Sequence, residues 1–206
     1  FRRVLFRSHV LVASPSLSVK SVKELVALAK AQPGKINFSS GGNGSTAHMA
    51  AELFKTTAGI NVTHVPYKGA TAALVAVAAG EAGFAFYSAS AAMPYVKQGR
   101  LRALAITGEK RSPTLADLPT VAEAALPGFE TVAWSGLLAP TGTPKPVITR
   151  LHDEITRIVQ GRDAQDKLAA IDFEPVGSTP EAFGAYIRRD MARWAHVVKT
   201  SGARAD

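Results

Sequence analysis

The segment FSSGGNGSTAH at residues 38–48 places glycines, hydroxyl side chains and one amide between an apolar strand pattern and a helix pattern. A loop in this position faces a helix N-terminus, where unpaired backbone N–H groups and the positive end of the helix dipole attract anions. Glycines let a ligand approach the backbone closely, and Ser, Thr and Asn side chains add hydrogen-bond donors. The segment therefore predicts a binding site for a small anion, a carboxylate or a phosphate.

Nucleotide binding is a weaker interpretation of the same segment. Gly42, Gly44 and Ala47 match the G-x-G-x-x-A fingerprint, but that fingerprint also needs an acidic residue at the end of the next strand. The next predicted strand ends in His64, Val65 and Pro66, and no Gly-Lys-Ser/Thr of a P-loop follows the glycines. A plain glycine-rich connection is the remaining alternative, although a turn does not require so many hydroxyl groups.

Composition limits the possible functions. The chain has 206 residues, of which 47% are hydrophobic, and strand patterns alternate with helix patterns, which predicts an α/β fold. It contains no cysteine, so disulfides, thiol catalysis and Cys-ligated metals are excluded. The five histidines, at 9, 48, 64, 152 and 196, have no metal-site spacing, and no nucleophile elbow or glycosidase carboxylate pair is present. We therefore expect a binding protein, with no catalytic residues, metal or cofactor.

The first eight residues, FRRVLFRS, differ from the rest of the chain in residue pattern, and they resemble the translation of a common sequencing-adapter tail. We interpret residues 1–8 as non-native, with a basic nucleic-acid-binding arm as the alternative. Their arginines contribute three of the formal net charges of +8. The other dense basic group, Arg188, Arg189 and Arg193, is interrupted by Asp190 on an amphipathic helix, which favours a solvated face and no nucleic-acid partner.

The predicted elements place the glycine loop at one edge of a sheet. Strands at 9–13, 36–39, 62–65, 83–87 and 101–107 alternate with helices, one of which is broken at Pro94, and we expect a parallel sheet between two helix layers. Ligands bind at the carboxyl ends of such strands. After a boundary near Thr131, three amphipathic helices and two short strands remain. This part has too little sheet for its own core and should pack on other structure.

Several motifs occur in an order that resembles a known family: SSGGNGSTAHMAAELFK, HVPYKGATAAL, VKQGRLRALAITGEKRSPTLADLPTVAEA, WSGLLAPTGTP and EPVGSTPEAF. They are similar to those of the tripartite tricarboxylate transporter receptors, or Bug-type periplasmic solute-binding proteins, from His9 to Asp206. The resemblance implies a two-domain α/β fold of the periplasmic-binding-protein type II (Venus flytrap). It also implies a periplasmic receptor, monomeric at full length, that binds a small carboxylate between its domains and delivers it to membrane permease subunits.

The resemblance also implies a domain assignment. Residues 9–131 correspond to the complete second domain of such a receptor, and residues 132–206 to the C-terminal portion of the first. The remainder of the first domain, with its own glycine-rich loop and a signal peptide, would precede His9, so we expect the chain to be an N-terminally truncated fragment.

Ligand-binding residues follow from the same resemblance. The loop residues implied to contact the ligand are Ser40, Gly41, Asn43, Gly44, Ser45 and Thr46. His48 either contacts the ligand or fixes the loop, and Tyr67 and Gly69 lie in a second strand-to-helix corner. Family members often carry an aspartate after the strand that ends here in Tyr87 and Ser88, and its absence favours a carboxylate without an amino group. Tyr87 would contribute its hydroxyl group or the face of its ring to the ligand site. The alternative is that Tyr87 is an aromatic residue of the core.

One other function is compatible with this fold. The ligand-sensing effector domain of a transcription regulator shares the flytrap architecture, but it would need a DNA-binding helix-turn-helix before His9. The order of motifs favours the receptor.

Overall fold

The computed structural model describes residues 2–204, with side chains from Leu5 onward, and the chain divides into two compact units. The larger unit contains Ser8–Val132 and the chain from His196, and the smaller unit contains the chain up to Arg7 together with Ala133–Ala195. The predicted α/β class is confirmed, since strands and helices alternate through the larger unit.

The sheet of the larger unit has the strand order β3-β2-β4-β1-β5. β2 runs parallel to β3 and β4, whereas β1 lies between β4 and β5 and is antiparallel to both. The strands are β1 (Arg2–Ala13), β2 (Asn37–Ser40), β3 (Thr63–Pro66), β4 (Phe84–Ser88) and β5 (Arg102–Ile106).

The expectation of an entirely parallel sheet is wrong because of β1. Its partners are distant in sequence, with Val10 opposite Tyr87 of β4 and Ile106 of β5. Hydrophobic periodicity marks a strand as buried but does not specify the direction in which it pairs. β1 also begins earlier than the predicted residue 9, so it includes most of the segment interpreted as non-native, while Phe1 lies outside the described residues.

Four α-helices connect these strands, α1 (Val22–Ala31), α2 (Thr46–Ala58), α3 (Ala70–Ala79) and α4 (Ala89–Lys97), and the short α5 (Val121–Ala124) follows β5. The predicted break at Pro94 does not occur, because α4 continues through this residue. The carbonyl of Pro94 still accepts the N–H of Gln98 at 3.3 Å. Proline removes one donor from a helix but leaves its acceptor in place.

Two hydrophobic layers cover the sheet, and the alternation of side chains along β1 contributes to both. Leu11 belongs to the layer containing Phe38, Phe54, Phe84 and Phe86, and the adjacent Val10 belongs to the layer that includes residues of α3 and α4. Phe54 is fully buried and makes edge contacts with Phe84, Phe86 and Phe129. Each fully buried Phe contributes roughly 1.5–3 kcal/mol of hydrophobic free energy. This core fixes the strands whose ends carry the candidate site.

The smaller unit contains little sheet, with the short strands β6 (Val132–Leu137) and β7 (Glu174–Pro175) beside the start of β1, and its helices are α6 (Lys145–Gln160), α7 (Arg162–Ala169) and most of α8 (Pro180–Ser201). β7 pairs antiparallel with the first part of β1, with Leu5 opposite Pro175 and Phe6 opposite Glu174. Apolar side chains on α6 and the preceding loop are exposed, and Leu138, Leu151 and Ile158 have 65%, 49% and 56% of their surface accessible.

A buried polar contact organises the centre of the smaller unit. The indole N–H of Trp134 donates to Oδ2 of Asp190 at 2.9 Å, and Arg193 pairs with the other carboxylate oxygen at 2.7 Å. The Trp134 ring also meets Phe183 and Tyr186 edge-on. Asp190 is therefore a structural residue, whereas the sequence pattern assigned it to a solvated basic face.

Among the described residues, none of the helices combines the length and the apolar character that crossing a bilayer requires.

Candidate functional site

Three parallel strands end at one edge of the larger unit's sheet, and a helix starts just beyond each of them. β2 ends at Ser40 and β3 at Pro66, which are directly paired, and β4 continues to Ser88. The following helices α2, α3 and α4 begin at Thr46, Ala70 and Ala89. The positive ends of three helix dipoles therefore lie at the edge where ligands bind in open α/β sheets.

Residues 41–45, named here the glycine loop, are held in place by bonds to the residues that flank the loop. The N–H of Gly42 donates to Oγ of Ser40 at 3.2 Å, and the Ser40 hydroxyl donates to the carbonyl of Gly42 at 3.0 Å. Gly42 and Gly44 have φ of 124° and 73°, which side chains with a Cβ rarely adopt. Ser45 ends the loop as the N-cap of α2 and accepts the N–H of His48 at 3.3 Å.

The first turn of α2 has two N–H groups that the N-cap does not satisfy. Because Ser45 caps the N–H of His48, the N–H groups of Thr46 and Ala47 are those left without an intrahelical acceptor. Thr46 is exposed, so its hydroxyl is also accessible. The loop and helix together offer backbone donors to an anion.

His48 lies behind the glycine loop with 4% of its surface exposed. Its Nδ1 accepts the N–H of Gly44 at 3.0 Å, and its Nε2 is 3.8 Å from Oε1 of Glu52, a buried carboxylate paired with Lys55 at 2.8 Å. This arrangement fits the alternative in which His48 fixes the loop. The Gly44 N–H is directed at His48, so a ligand contact from Gly44 would come from its other atoms.

His64 is a site residue that the sequence interpretation did not include. Its Nε2 lies 2.7 Å from Oγ of Ser40, and its ring stacks on His48 with centroids 4.0 Å apart. Burial, the adjacent His48 and the charge of Lys55 lower the pKa of His64 from 6.5 to about 4. The parallel pairing of Phe38 with His64 brings the ring to the loop, a relationship that requires the strand register.

The corner between β3 and α3 packs against the glycine loop. The N–H of Tyr67 donates to the carbonyl of Ser40 at 2.9 Å, and the N–H of Gly69 donates to the carbonyl of Tyr67 at 2.9 Å. Gly69, with φ of 98°, is the N-cap residue of α3 and has no side chain. The first N–H groups of α3 are therefore not capped by a side-chain acceptor. Lys68, also in this corner, is exposed. The structure therefore brings Tyr67 and Gly69 to the predicted site.

Tyr87 and Ser88 are adjacent at the end of β4 but lie in different environments. Tyr87 has 4% of its surface exposed and packs in the layer containing Val10 and Ala73, where burial raises its pKa to about 12. This position fits the core-aromatic alternative. Ser88 caps α4 by accepting the N–H of Ala91 at 3.4 Å, and it pairs with His9 of β1 in the sheet register.

All the sequence-predicted site residues thus lie at one sheet edge, but in two layers. Ser40, His48 and Tyr87 are buried and support the surface. The others are partly or fully exposed: Gly41, Asn43, Gly44, Ser45, Thr46, Tyr67, Gly69 and Ser88. Within the described residues, no three metal-ligating side chains lie close enough to hold a metal ion. Backbone donors, hydroxyls and Lys68 make this surface suitable for an anion.

Comparison with known proteins adds independent findings. A family described as "Tripartite tricarboxylate transporter family receptor" matches residues 3–203. Protein BugT of Bordetella pertussis is 34% identical over 95% of the chain. The chain spans only 60% of the length of this curated relative.

Solved structures show the same architecture. R. palustris Rpa4515 with adipate has a TM-score of 0.85 and 35% identity, and the match covers 99% of this chain and 68% of that chain. MatC (Rpa3494) from Rhodopseudomonas palustris with bound malate has a TM-score of 0.76 and 26% identity, covering 95% of this chain and 68% of that chain. These similarities confirm the predicted periplasmic-binding-protein fold.

Proposed function

The chain belongs to the tripartite tricarboxylate transporter family of receptors, and from this premise we propose that it captures a small carboxylate in the periplasm for delivery to membrane permease subunits. The observation that carries this proposal is the glycine loop at the N-terminus of α2, next to the uncapped start of α3. Backbone N–H groups at helix N-termini bind carboxylates without requiring a metal.

The charges at the sheet edge support an anionic ligand. The adjacent Lys68 is a cation, and the proposed contact residues themselves are glycines or uncharged polar residues. The nearby carboxylate of Glu52 is buried and paired with Lys55, so little negative charge reaches the loop. An anion at the loop therefore meets the attractive dipoles of the helix N-termini, whereas the carboxylate of Glu81 lies beside the Tyr67 hydroxyl.

Ser88 supports a ligand without an amino group. A ligand ammonium group is best held by a carboxylate, and the residue that follows Tyr87 is a serine whose hydroxyl caps α4. The neighbours with adipate and with malate contain ligands of this class, carboxylates that carry no amine. We infer that this receptor also takes a plain or hydroxylated carboxylic acid.

We assign roles according to burial. Gly41, Asn43, Ser45 and Thr46 form the contact surface of the glycine loop, with Gly44 shaping it. Tyr67, Gly69 and Ser88 form the rim. The buried Ser40, His48 and Tyr87 hold these residues in position rather than contact the ligand.

The domain assignment is part of the proposal. Residues 9–131 would be the complete second domain, and residues 132–206 the C-terminal portion of the first, with the ligand held between two domains. The division between Val132 and Ala133 and the exposed apolar side chains of the smaller unit support this assignment, whereas the grouping of the chain from His196 with the larger unit differs from it.

Thermal-shift screening followed by calorimetry would test the function, using a receptor with both domains and a panel that includes adipate and malate. We expect a carboxylate without an amine to raise the melting temperature, since a ligand that binds the folded state stabilises it. Thr46→Leu should weaken binding at least about tenfold without changing stability, because the exposed side chain would obstruct the loop.

Thr149→Leu is the matched control, since Thr149 is an exposed helical threonine in α6. The Thr149→Leu variant should bind the carboxylate with the same affinity as the wild type. A panel in which no carboxylate binds, or a Thr46→Leu variant with unchanged affinity, would contradict the proposal.

A further inference from the structure

Two histidines from different elements form a stacked pair next to the glycine loop. The rings of His48 in α2 and His64 in β3 have centroids 4.0 Å apart and planes 12° apart. Phe38 of β2 stacks on His64 with a centroid distance of 4.8 Å. Since Phe38 lies two residues before Ser40, this stack connects the core of the sheet to the start of the loop.

Each imidazole is bonded to a different part of the loop. Nδ1 of His48 accepts the N–H of Gly44 at 3.0 Å. Nε2 of His64 lies 2.7 Å from Oγ of Ser40, which in turn bonds both the N–H and the carbonyl of Gly42. The two rings therefore fix the backbone of the loop at two positions, Gly42 and Gly44.

The bond to Gly44 requires a neutral His48. An imidazole nitrogen that accepts a hydrogen bond carries no proton, so the neutral ring has its proton on Nε2, the side of Glu52. Protonation of Nδ1 would place two donors face to face and release the Gly44 N–H. The charged groups that face the pair are Glu52 and Lys55 of α2, and β2 faces it with the uncharged Phe38 and Ser40.

We propose that His48 and His64 are positioning residues that hold the glycine loop in its anion-binding conformation, and that the bond from Gly44 forms only while the His48 ring is neutral. This inference rests on the proposed carboxylate-binding function and adds a dependence of that function on acidity. Burial, the neighbouring His48 and Lys55 keep the pKa of His64 near 4, so its ring is neutral around pH 7. Acidification that protonates Nδ1 of His48 should loosen the loop by breaking its bond to Gly44.

Hydrogen exchange tests this device without any ligand. In the 15N-labelled chain, long-range imidazole spectra should show His48 with its proton on Nε2, and the Gly44 amide should exchange slowly. On acidification, Gly44 exchange, corrected for the intrinsic effect of pH, should accelerate in parallel with protonation of the His48 ring. A neutral His48 with its proton on Nδ1, or a Gly44 amide that exchanges at the rate of a free loop, would overturn the inference.

Two variants separate hydrogen bonding from packing. His48→Phe keeps a ring in the stack but lacks the acceptor, so Gly44 should exchange fast at every pH. His48→Gln keeps an acceptor that does not titrate, so Gly44 should remain protected and the acid-dependent step should disappear. His196→Gln, at an exposed position on α8, should behave like the wild type. Equal Gly44 protection in His48→Phe and the wild type would also contradict the inference.

Binding of adipate as the probe, measured in the two-domain receptor, connects the device to function. We expect about a tenfold loss of affinity in His48→Phe, as for one lost hydrogen bond, and less than about a twofold loss in His48→Gln. If the exchange signature is present but no member of the carboxylate panel binds, the proposed function fails while the positioning role of the histidines stands. If a carboxylate binds with equal affinity to the wild type, His48→Phe and His48→Gln, the positioning role fails while the function stands.

Discussion

The Cα of Gly41 lies so close to the backbone of Ala70 that a Cβ on Gly41 would stand 2.9 Å from the Ala70 nitrogen. The same Cβ would stand 3.1 Å from the carbonyl carbon of Gly69. The glycine loop and the start of α3 are therefore in backbone contact. This contact joins two of the three helix N-termini at the sheet edge into one surface.

Gly41→Ala should therefore separate the loop from α3. Because the obstructing atoms are backbone, relief requires a backbone shift, which costs roughly 1–3 kcal/mol. We expect lower stability in urea denaturation and a loss of carboxylate affinity in calorimetry. Gly184→Ala is the control, since its Cβ would meet only the Arg188 side chain at 3.6 Å within α8. It should be neutral or stabilising by about 0.5–1 kcal/mol. Equal effects of the two substitutions would show that the close contact is unimportant.

Ser45→Ala should affect both stability and binding. Loss of the N-cap of α2 costs about 1 kcal/mol, and the hydroxyl is also lost from the proposed contact surface. Ser21→Ala removes the equivalent cap of α1, where Ser21 accepts the N–H of Glu24 at 3.2 Å. Both variants should lower the free energy of unfolding by similar amounts, but only Ser45→Ala should reduce carboxylate affinity. A parallel loss of affinity in Ser21→Ala would point to a general effect of stability.

The His64 ring should make stability depend on pH. Its pKa is lowered from 6.5 to about 4 on folding, so above pH 6.5 the ring is neutral in both states and contributes no slope. Between pH 6.5 and about 4 the unfolded chain binds a proton that the folded chain does not, so the stability decreases as the pH is lowered. Below about pH 4 both states bind the proton, and this contribution levels off. Urea denaturation of His64→Gln should show a shallower decline in this window. His196→Gln should follow the wild type, and identical slopes in all three proteins would refute the assignment.

Asp190 should be needed for the stability of the smaller unit. Asp190→Ala removes the acceptor of the Trp134 indole N–H and one ion-pair partner of Arg193, which we expect to cost about 2–3 kcal/mol. Asp190→Asn keeps an acceptor for Trp134 and should cost about half as much. Urea denaturation followed by tryptophan fluorescence would measure both. A change below about 0.5 kcal/mol in Asp190→Ala would contradict a structural role for this carboxylate.

The exposed apolar side chains of the smaller unit should promote self-association of the 206-residue chain. Leu138 and Leu151 line the same cleft with Ile148 and Ile155, and apolar patches of this kind drive aggregation. The double variant Leu138→Ser/Leu151→Glu should shift light-scattering masses toward the monomer at high concentration. Val75→Glu alters an apolar side chain that is 40% exposed in the other unit and should have no effect. A monodisperse wild-type chain would contradict this prediction.

Local signals made the glycine loop and its elements predictable from the sequence. The strand predicted at residues 36–39 is found at Asn37–Ser40, and the glycine loop leads into a helix as expected, whereas the cap at Ser45 was not predicted. The α/β class follows from the same local alternation. Domain boundaries and individual ligand contacts remain predictions, because they concern a receptor with both domains and its ligand.

Non-local contacts account for the features that were missed. The antiparallel direction of β1 is set by pairing with residues nearly a hundred positions away, such as Val10 with Ile106. The role of His64 depends on a parallel register with Phe38. Asp190 was misassigned because its partner Trp134 lies on another element, 56 residues earlier. In each case the deciding interaction has no signature in the local pattern.

The internal bonding of the glycine loop also bears on how such receptors diversify. Since Ser40 and His48 hold the loop backbone, the part that recognises the carboxylate is separate from the side chains at its rim. We expect substitutions at Asn43, Tyr67 and Ser88 to alter the rest of the accepted molecule while leaving capture of the carboxylate intact. A receptor organised in this way can change its ligand specificity through a few substitutions at the rim, while its fold and its carboxylate-binding loop stay the same.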